Sequence, residues 1–146
     1  MPSVESTIRH IRDVLCGCSC IEAVVLGGSR AVGMADEHSD IDIGIYYDKE
    51  KLDYDELNRV AALLDDAGRS HVLCREGEWG PWVNCGAWLT SGGRSVDIIM
   101  RDMNRVHAAV NGTDSGAWAA HYQTGHPHAY LDVAYRGELA SCRVLY

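Results

Sequence analysis

The chain has 146 residues and a mass of 16.0 kDa, which is enough for one domain with its own hydrophobic core. Apolar residues make up 47% of the sequence and charged residues 23%, with 15 glycines and only 3 prolines, so the composition argues against a collagen-like, low-complexity or disordered chain. The 13 basic and 21 acidic residues give a net charge of -8, which argues against a protein that holds nucleic acid phosphates on a basic face.

The first predicted elements are a helix and a strand that leads into a glycine turn. The helix carries one apolar stripe at spacings of three and four residues, formed by Val4, Ile8, Ile11 and Leu15. After a loop over residues 16–20, the β-branched run of residues 21–26 predicts a buried strand. That strand ends at Gly27-Gly28-Ser29, and residues 30–33 predict a short helical turn.

A second strand and a second helix follow a polar loop over residues 34–39. Residues 40–47 alternate in polarity, and the face of this strand predicted to be buried consists of Ile41, Ile43 and Ile45. Residues 53–67 predict an amphipathic helix that Gly68 ends, with a buried side formed by Leu57, Val60, Ala61 and Leu64. Residues 69–74 predict another short strand.

The second half predicts a hairpin followed by helices. Residues 82–90 and 94–101 predict two strands joined at Ser91-Gly92-Gly93. A helix is predicted over residues 103–110 before a break at 111–116, a loop at Gly125-His126-Pro127-His128, and a helix over residues 130–139. Because strands and helices mix without strict βαβ alternation, the expected fold is α/β or α+β with a mixed sheet.

The six cysteines favour free thiols over disulfides or a metal centre. Cys16, Cys18 and Cys20 cluster, but structural zinc usually needs a second pair of ligands, and the sequence offers none. No apolar run approaches the roughly 20 residues that span a bilayer, and the N-terminus lacks the layout of a signal peptide. We therefore expect a cytoplasmic protein without membrane contacts.

Three carboxylates fall within predicted strands. Asp40 and Asp42 are two residues apart and share one strand face, while the residues between and after them point into the core. Adjacent anions repel unless a cation separates them, and Mg2+ prefers a few carboxylates together with phosphate oxygens. Asp97 has apolar neighbours, and its strand brings a third carboxylate to the same cleft if it lies beside the first. Three carboxylates suit two metal ions about 3.5–4 Å apart that clamp the oxygens of a phosphoryl transfer.

The glycine turn predicts a phosphate site. Gly27 and Gly28 allow the backbone to approach a ligand closely, and Ser29 offers a hydroxyl and an amide N–H. Arg30 can reach a triphosphate or face solvent as an ordinary helix residue. Each feature alone has a simpler explanation: a plain turn, a solvated strand edge, or an Asp97 that pairs with a nearby arginine. Their combination in this order favours nucleotide chemistry.

Two further groups keep open alternatives. His126 and His128 can line an acceptor site, bind metal, or be exposed in a loop. Trp79, Trp82 and Trp88 can stack on a base, although such rings more often pack the core, especially in a chain without phenylalanine.

The stretch LGGSRAVG…SDIDIGIYY resembles the motif of the DNA polymerase beta-like nucleotidyltransferase superfamily, and Asp97 in RSVDIIMRD matches its third acid. The likeness covers about residues 20–140 and is nearest to small bacterial nucleotidyltransferase-domain proteins, which include antibiotic-modifying and toxin–antitoxin enzymes. It implies a mixed sheet with helices packed mainly on one face. It also implies that residues 1–146 form a single catalytic domain, without the C-terminal helical domain of larger relatives.

The resemblance also implies the roles of the site residues. A nucleoside triphosphate would be bound by Gly27, Gly28, Ser29 and Arg30, with its β- and γ-phosphates on Gly28 and Ser29. Two Mg2+ ions would be bound by the catalytic acids Asp40, Asp42 and Asp97. Asp97 would also deprotonate the acceptor hydroxyl or position the base that does so.

The expected reaction is metal-dependent transfer of a nucleoside monophosphate, AMP from ATP, to a hydroxyl of a small-molecule acceptor such as an antibiotic. The alternative is a minimal nucleotidyltransferase antitoxin that binds and nucleotidylates a helical toxin. A silent nucleotide-binding module is disfavoured because all three acids are present. The expected partners are the nucleotide and the acceptor, without nucleic acid or membrane, and a second copy or a helical protein that completes the site.

Overall fold

A computed structural model of the protein describes residues 1–79, 85–122 and 127–146. In chain order its strands are β1 (Ile21–Leu26), β2 (Ile41–Tyr47), β3 (Cys85–Ser91), β4 (Arg94–Asp102), β5 (Ala120–His121), β6 (Tyr130–Leu131) and β7 (Arg143–Val144). Its helices are α1 (Val4–Leu15), α2 (Gly28–Ala31), α3 (Tyr54–Leu64), α4 (Met103–Asp114) and α5 (Val133–Ser141), with a 3-10 turn at Lys49–Lys51.

Five strands form one mixed sheet in the order β3-β4-β2-β1-β7, and β5 pairs with β6 in a separate two-stranded sheet. Strands β2 and β4 run parallel, and the other neighbours in the large sheet are antiparallel. The β3–β4 hairpin turns at Gly92 and Gly93, which both have positive φ angles, of 59° and 73°. Two such residues form the tight turn that matches strand twist, so the predicted hairpin turn is confirmed.

The main core lies on the sheet face that α1 and α3 cover. The side chain of Ser3 caps α1 by accepting a hydrogen bond from the Ser6 amide at 3.2 Å. The buried stripes of α1 and α3 meet the buried face of β2, and both predicted apolar patterns are confirmed. Cys18 and Cys20 also lie in this core, where burial raises the pKa of Cys18 to about 11.

A smaller apolar cluster lies on the opposite face, under α4 and α5. It is built around Val25 and Tyr46 from the sheet, Val106 from α4 and Tyr135 from α5. The same face carries Asp42, so most of the apolar packing is on one side of the sheet and the polar groups of interest are on the other. The α+β class and the mixed sheet are as expected, whereas the helices pack on both faces of the sheet rather than mainly on one.

The predicted end of α3 and the strand predicted after it are both wrong. The helix stops at Leu64 rather than at residue 67, because Asp65 leaves the helix and its carboxylate accepts hydrogen bonds from Arg69 Nε at 2.8 Å and the Thr90 amide at 3.1 Å. Residues 69–74 form no strand apart from a single bridge between Cys74 and Gly86.

Further corrections concern β2 and the C-terminal helices. Strand β2 begins at Ile41, so Asp40 lies just before it. The predicted break at residues 111–116 is wrong at its start, since α4 continues to Asp114. Helix α5 begins three residues later than predicted, because Tyr130–Leu131 pairs with β5 instead.

Parts of two predictions, residues 82–84 of the first hairpin strand and residues 125–126 of the histidine loop, lie outside the described residues, as do Trp82 and His126. Within the described ranges, no helix combines the length and the apolar character needed to cross a membrane.

Candidate active site

The glycine turn after β1 lies directly against Asp42. The Gly27 amide donates to the Asp42 carbonyl at 2.8 Å. Gly28 has a φ of +57°, and a Cβ atom built on it would lie 1.9 Å from Asp42 Oδ2. A side chain here would be strained and would collide with the carboxylate, so only glycine fits. The sequence thus sets a bare backbone turn beside the first acid of β2.

One row of residues crosses the sheet at this level. Asp42 on β2 is the register partner of Asp97 on β4, and Asp97 is in turn the register partner of Trp88 on β3. With Gly27 bonded to Asp42 on the other side, the row runs Gly27, Asp42, Asp97, Trp88. Neighbouring strands are about 4.8 Å apart, so the two carboxylates are immediate neighbours on one face. The expectation that the Asp97 strand lies beside that of Asp42 is confirmed.

Asp40 is placed differently from the other two acids. It is exposed, lies before β2, and its carbonyl accepts a hydrogen bond from Arg30 Nε at 2.9 Å. Among the residues that the structure describes, no three acids, histidines or cysteines are arranged around a common metal position. The structure therefore brings Asp42 and Asp97 together and leaves Asp40 at the rim.

In the part of the chain that the structure describes, neither central carboxylate is directly paired with a cation. Burial and the negative charge of Asp40 raise the pKa of Asp42, and the cation of Arg30 lowers it by less. Burial and then the charges of Asp42 and Asp40 raise the pKa of Asp97. Within residues 1–79, 85–122 and 127–146, no side chain makes an ion pair or hydrogen bond to the carboxylate of Asp42 or Asp97. Two half-buried anions with no cation between them are destabilising as they stand.

The donor set fits a hard divalent cation. Carboxylate oxygens are the ligands that Mg2+ prefers, and the ion usually binds through one or two protein carboxylates together with water and substrate phosphates. Asp42 and Asp97 supply those two carboxylates, and burial together with the charges of the neighbouring acids raises the pKa of both. Asp40 is close enough to affect the pKa of both, so it adds to the attraction for a cation.

Arg30 is held by the loop that precedes β2. Its guanidinium donates to the carbonyls of Asp36, Ser39 and Asp40, and the carboxylate of Asp36 in turn accepts from the Ser39 amide at 2.8 Å. Hydrogen bonds from the Ser39 hydroxyl and from the amides of His38 and Ser39 lower the pKa of Asp36. Arg30 thus clamps the backbone that carries Asp40, a structural role that sequence reasoning did not foresee.

A pocket of about 200 Å3 opens beside the carboxylates and extends to α5. Gly27, Gly28, Asp42 and Asp97 line it, whereas Ser29, Arg30 and Asp40 are not among its lining residues. Gly44 lines the base of the pocket and has no side chain to fill it. A Cβ atom at that position would come within 2.8 Å of Val25 Cγ2. A glycine between Ile43 and Ile45, on the same strand face as Asp42, is a sequence signal that could have indicated this open space.

The far wall of the pocket is an ion pair between the sheet and α5. Arg101, which is 4% exposed, donates to Glu138 Oε1 at 2.8 Å, and its guanidinium carbon lies 4.8 Å from the ring centroid of Tyr135. Arg94 donates instead to the Glu37 carbonyl. Neither arginine pairs with Asp97, so the simpler salt-bridge interpretation of that acid is wrong.

The remaining candidates lie apart from the pocket. His128 is exposed and does not line it. Trp79 and Trp88 do not both pack in the core: their rings stack on each other with centroids 4.5 Å apart, and Trp88 is 64% exposed.

The family model described as polymerase beta, nucleotidyltransferase matches residues 9–75. This match confirms the superfamily resemblance. The matched part of the chain includes the glycine turn, Asp40 and Asp42, whereas Asp97 follows it in the sequence. The family supports nucleotidyl transfer as the general activity, and its members typically use a nucleoside triphosphate and divalent metal ions. No curated protein matches the chain significantly.

Proposed function

We propose that the protein is a metal-dependent nucleotidyltransferase that moves a nucleoside monophosphate from ATP to a hydroxyl of a small-molecule acceptor such as an antibiotic. The observation that carries the proposal is the row of Gly27, Asp42 and Asp97 at the mouth of one pocket. It joins a backbone turn that admits phosphate to two adjacent carboxylates that lack a counter-charge.

The order of residues in this row supports a role for each position. The β- and γ-phosphates lie at Gly27 and Gly28, near Ser29 and Arg30, and the α-phosphate lies near Asp42 and Asp97. Asp42 and Asp97, with Asp40 at the rim, would hold the Mg2+ ions, which when bound neutralise phosphate charge and polarise the transferred group. Attacking and leaving oxygens are in line, so the acceptor enters opposite the glycine turn, on the Asp97 side.

The proposed reaction balances as a single displacement. The acceptor oxygen forms a bond to the α-phosphorus, and the bond from that phosphorus to the α,β-bridging oxygen breaks with its electron pair on pyrophosphate. The hydroxyl proton passes to the Asp97 carboxylate, which lies on the acceptor side of the row. Pyrophosphate leaves on the side of Gly28.

The size of the pocket supports a site that another chain completes. Its volume of about 200 Å3 is below the roughly 300–1,000 Å3 typical of small-molecule sites, so it takes only part of the nucleotide and acceptor. We propose residues 1–146 as one catalytic domain, with a second copy or a helical protein as the further wall.

The test is a transfer assay read by mass spectrometry. The protein is incubated with ATP or GTP, Mg2+ and a panel of aminoglycosides and lincosamides, and products are examined for an added nucleoside monophosphate and for pyrophosphate. Transfer should be lost in Asp42→Asn and Asp97→Asn and retained in Asp13→Asn, which changes an exposed acid on α1. Absence of transfer to every small acceptor, together with stable binding to a helical partner, would replace this proposal by the antitoxin alternative.

A further inference from the structure

A pair of stacked tryptophans, one of them exposed, lies at the end of the row that contains the carboxylates. Trp88 is 64% exposed, although its neighbours Ala87 and Leu89 are buried in the main core. Since successive strand residues point to opposite faces, Trp88 lies on the same face as its register partner Asp97. Its indole stacks on that of Trp79 with an interplanar angle of 23°.

The fold makes room for this pair. Trp79 packs over Gly86, where a Cβ atom would come within 2.8 Å of Trp79 Cζ3. Gly86 is two residues before Trp88 and belongs to the same face of β3. Trp79 is half-buried against the core and therefore supports the ring of Trp88 from behind. The result is a supported flat apolar surface, and one that is open to solvent.

The position of this surface relative to the reaction follows from the strand order. The leaving pyrophosphate belongs at the glycine turn after β1, and the transferred phosphorus at Asp42 and Asp97 on β2 and β4. The acceptor therefore approaches from the next strand, β3, which places Trp88 one strand spacing, about 5 Å, beyond Asp97. The nucleotide lies on the other side of the carboxylates from this surface.

We propose that the Trp79–Trp88 pair stacks against a ring of the acceptor and selects acceptors that carry their reactive hydroxyl on or next to such a ring. The inference rests on the proposed nucleotidyl transfer for the direction of approach. The exposed indole offers a face to a planar ring or to the C–H face of a sugar, and stacking of this kind orients the hydroxyl towards Asp97. An open-chain alcohol has no flat ring face that can stack on the indole.

The test separates ring recognition from catalysis. Binding of phenyl glucoside, and of sorbitol as a ring-free polyol, is measured by calorimetry with Mg2+ and a non-hydrolysable ATP analogue present. The compared proteins are wild type, Trp88→Leu, Trp88→Tyr and Thr90→Ala, a matched change at an exposed position of the same strand. Thermal melts establish that each variant is folded.

Wild type should prefer phenyl glucoside, and Trp88→Leu should weaken its binding about 3- to 10-fold. Trp88→Tyr should restore most of this affinity, Thr90→Ala should match wild type, and the ATP analogue should bind equally to all four. For any acceptor modified in the transfer assay, Trp88→Leu should raise KM and leave kcat within about twofold.

Several outcomes overturn the inference. Equal binding of phenyl glucoside by wild type and Trp88→Leu excludes the surface as a ring site. Loss of ATP-analogue affinity in Trp88→Leu assigns the rings to the nucleotide base, and a change of oligomeric state assigns them to an interface between copies. Ring-dependent binding without any transfer would retain the stacking surface but reject the catalytic proposal and, with it, the acceptor as the ligand, so the two failures are distinguishable.

Discussion

Replacing Asp97 by asparagine should stabilise the metal-free protein. The substitution keeps the shape of the side chain and removes one of two neighbouring uncompensated charges. Asp97 and Asp42 are register partners on neighbouring strands, whose spacing of about 4.8 Å sets the approximate separation of their charges. Coulomb's law gives a repulsion of about 3 kcal/mol at an effective dielectric constant near 20 and about 1 kcal/mol in bulk water. Removing this repulsion should stabilise the folded state by about 1–3 kcal/mol. For a domain of this size, that corresponds to a rise in Tm of roughly 3–9 °C.

The pH dependence of the gain has a definite sign. Because the pKa of Asp97 is raised in the folded state, its ionisation opposes folding above that pKa. At a pH below the ordinary aspartate pKa of about 3.9, the group is protonated in both states and carries no penalty. The stability advantage of Asp97→Asn should therefore grow as the pH rises from about 4 and be complete once it exceeds the folded-state pKa.

Magnesium should narrow the difference in stability between the two proteins. Binding only to the folded state stabilises it, by about 1.4 kcal/mol at a concentration ten times Kd. Wild type gains this increment, whereas Asp97→Asn has lost a ligand and gains less. Thermal melts followed by circular dichroism between pH 4 and 8, with and without Mg2+, measure both effects. A variant that melts at or below the wild-type temperature at pH 7 without metal would refute the reasoning.

Asp65→Asn is the matched control, because the same chemical change should have the opposite effect. Arg69 and the Thr90 amide donate to the Asp65 carboxylate, and these hydrogen bonds hold its pKa well below the usual range. Removing the charge should cost about 1–3 kcal/mol at pH 7. Since the folded-state pKa is depressed, the contribution of Asp65 is present above its unfolded value and is lost as the pH falls below it.

Three further substitutions test the other parts of the site. Gly28→Ala should reduce transfer at least tenfold, because its methyl group occupies the space of the Asp42 carboxylate. It should also lower stability in a melt by at least about 1–2 kcal/mol, and full activity would contradict the assigned turn. Glu138→Gln should lower the free energy of unfolding in urea by about 1.5–3 kcal/mol, because it weakens the ion pair of a buried arginine, and an unchanged midpoint would contradict this. Arg30→Met should raise KM for Mg-ATP with a change in Tm of under about 3 °C, since it releases the loop of Asp40 without touching the core; an unaltered KM would count against the clamp.

Local sequence patterns were sufficient to predict the helices and strands that build the main core. The apolar stripe of α1, the β-branched run of β1 and the alternation of β2 each follow from the residues that pack there, and the structure confirms them. The pairing of Asp42 with Asp97 was also foreseeable. Both acids interrupt an apolar strand, and the two strands are neighbours in the sheet.

Contacts between distant residues were beyond such patterns. Nothing near Asp65 in the sequence indicates that it accepts a hydrogen bond from Thr90, 25 residues later, and ends α3 there. Nothing in residues 94–101 shows that Arg101 meets Glu138 on α5 and closes the pocket. Asn111 and Gly112 are poor helix formers, yet α4 includes both, because local propensity is weaker than the packing of a whole helix.

The register between β2 and β4 links the carboxylate pair to the apolar core. In this register Ile43 faces Ile98 on one side of the sheet while Asp42 faces Asp97 on the other. A slip of one residue would turn one strand over, burying its acid and exposing its isoleucines to water. Substitutions on the core face of β2 or β4 that shift this register would therefore separate Asp42 from Asp97. A laboratory selection for metal or nucleotide binding would therefore also select for apolar residues on the core face of β2 and β4.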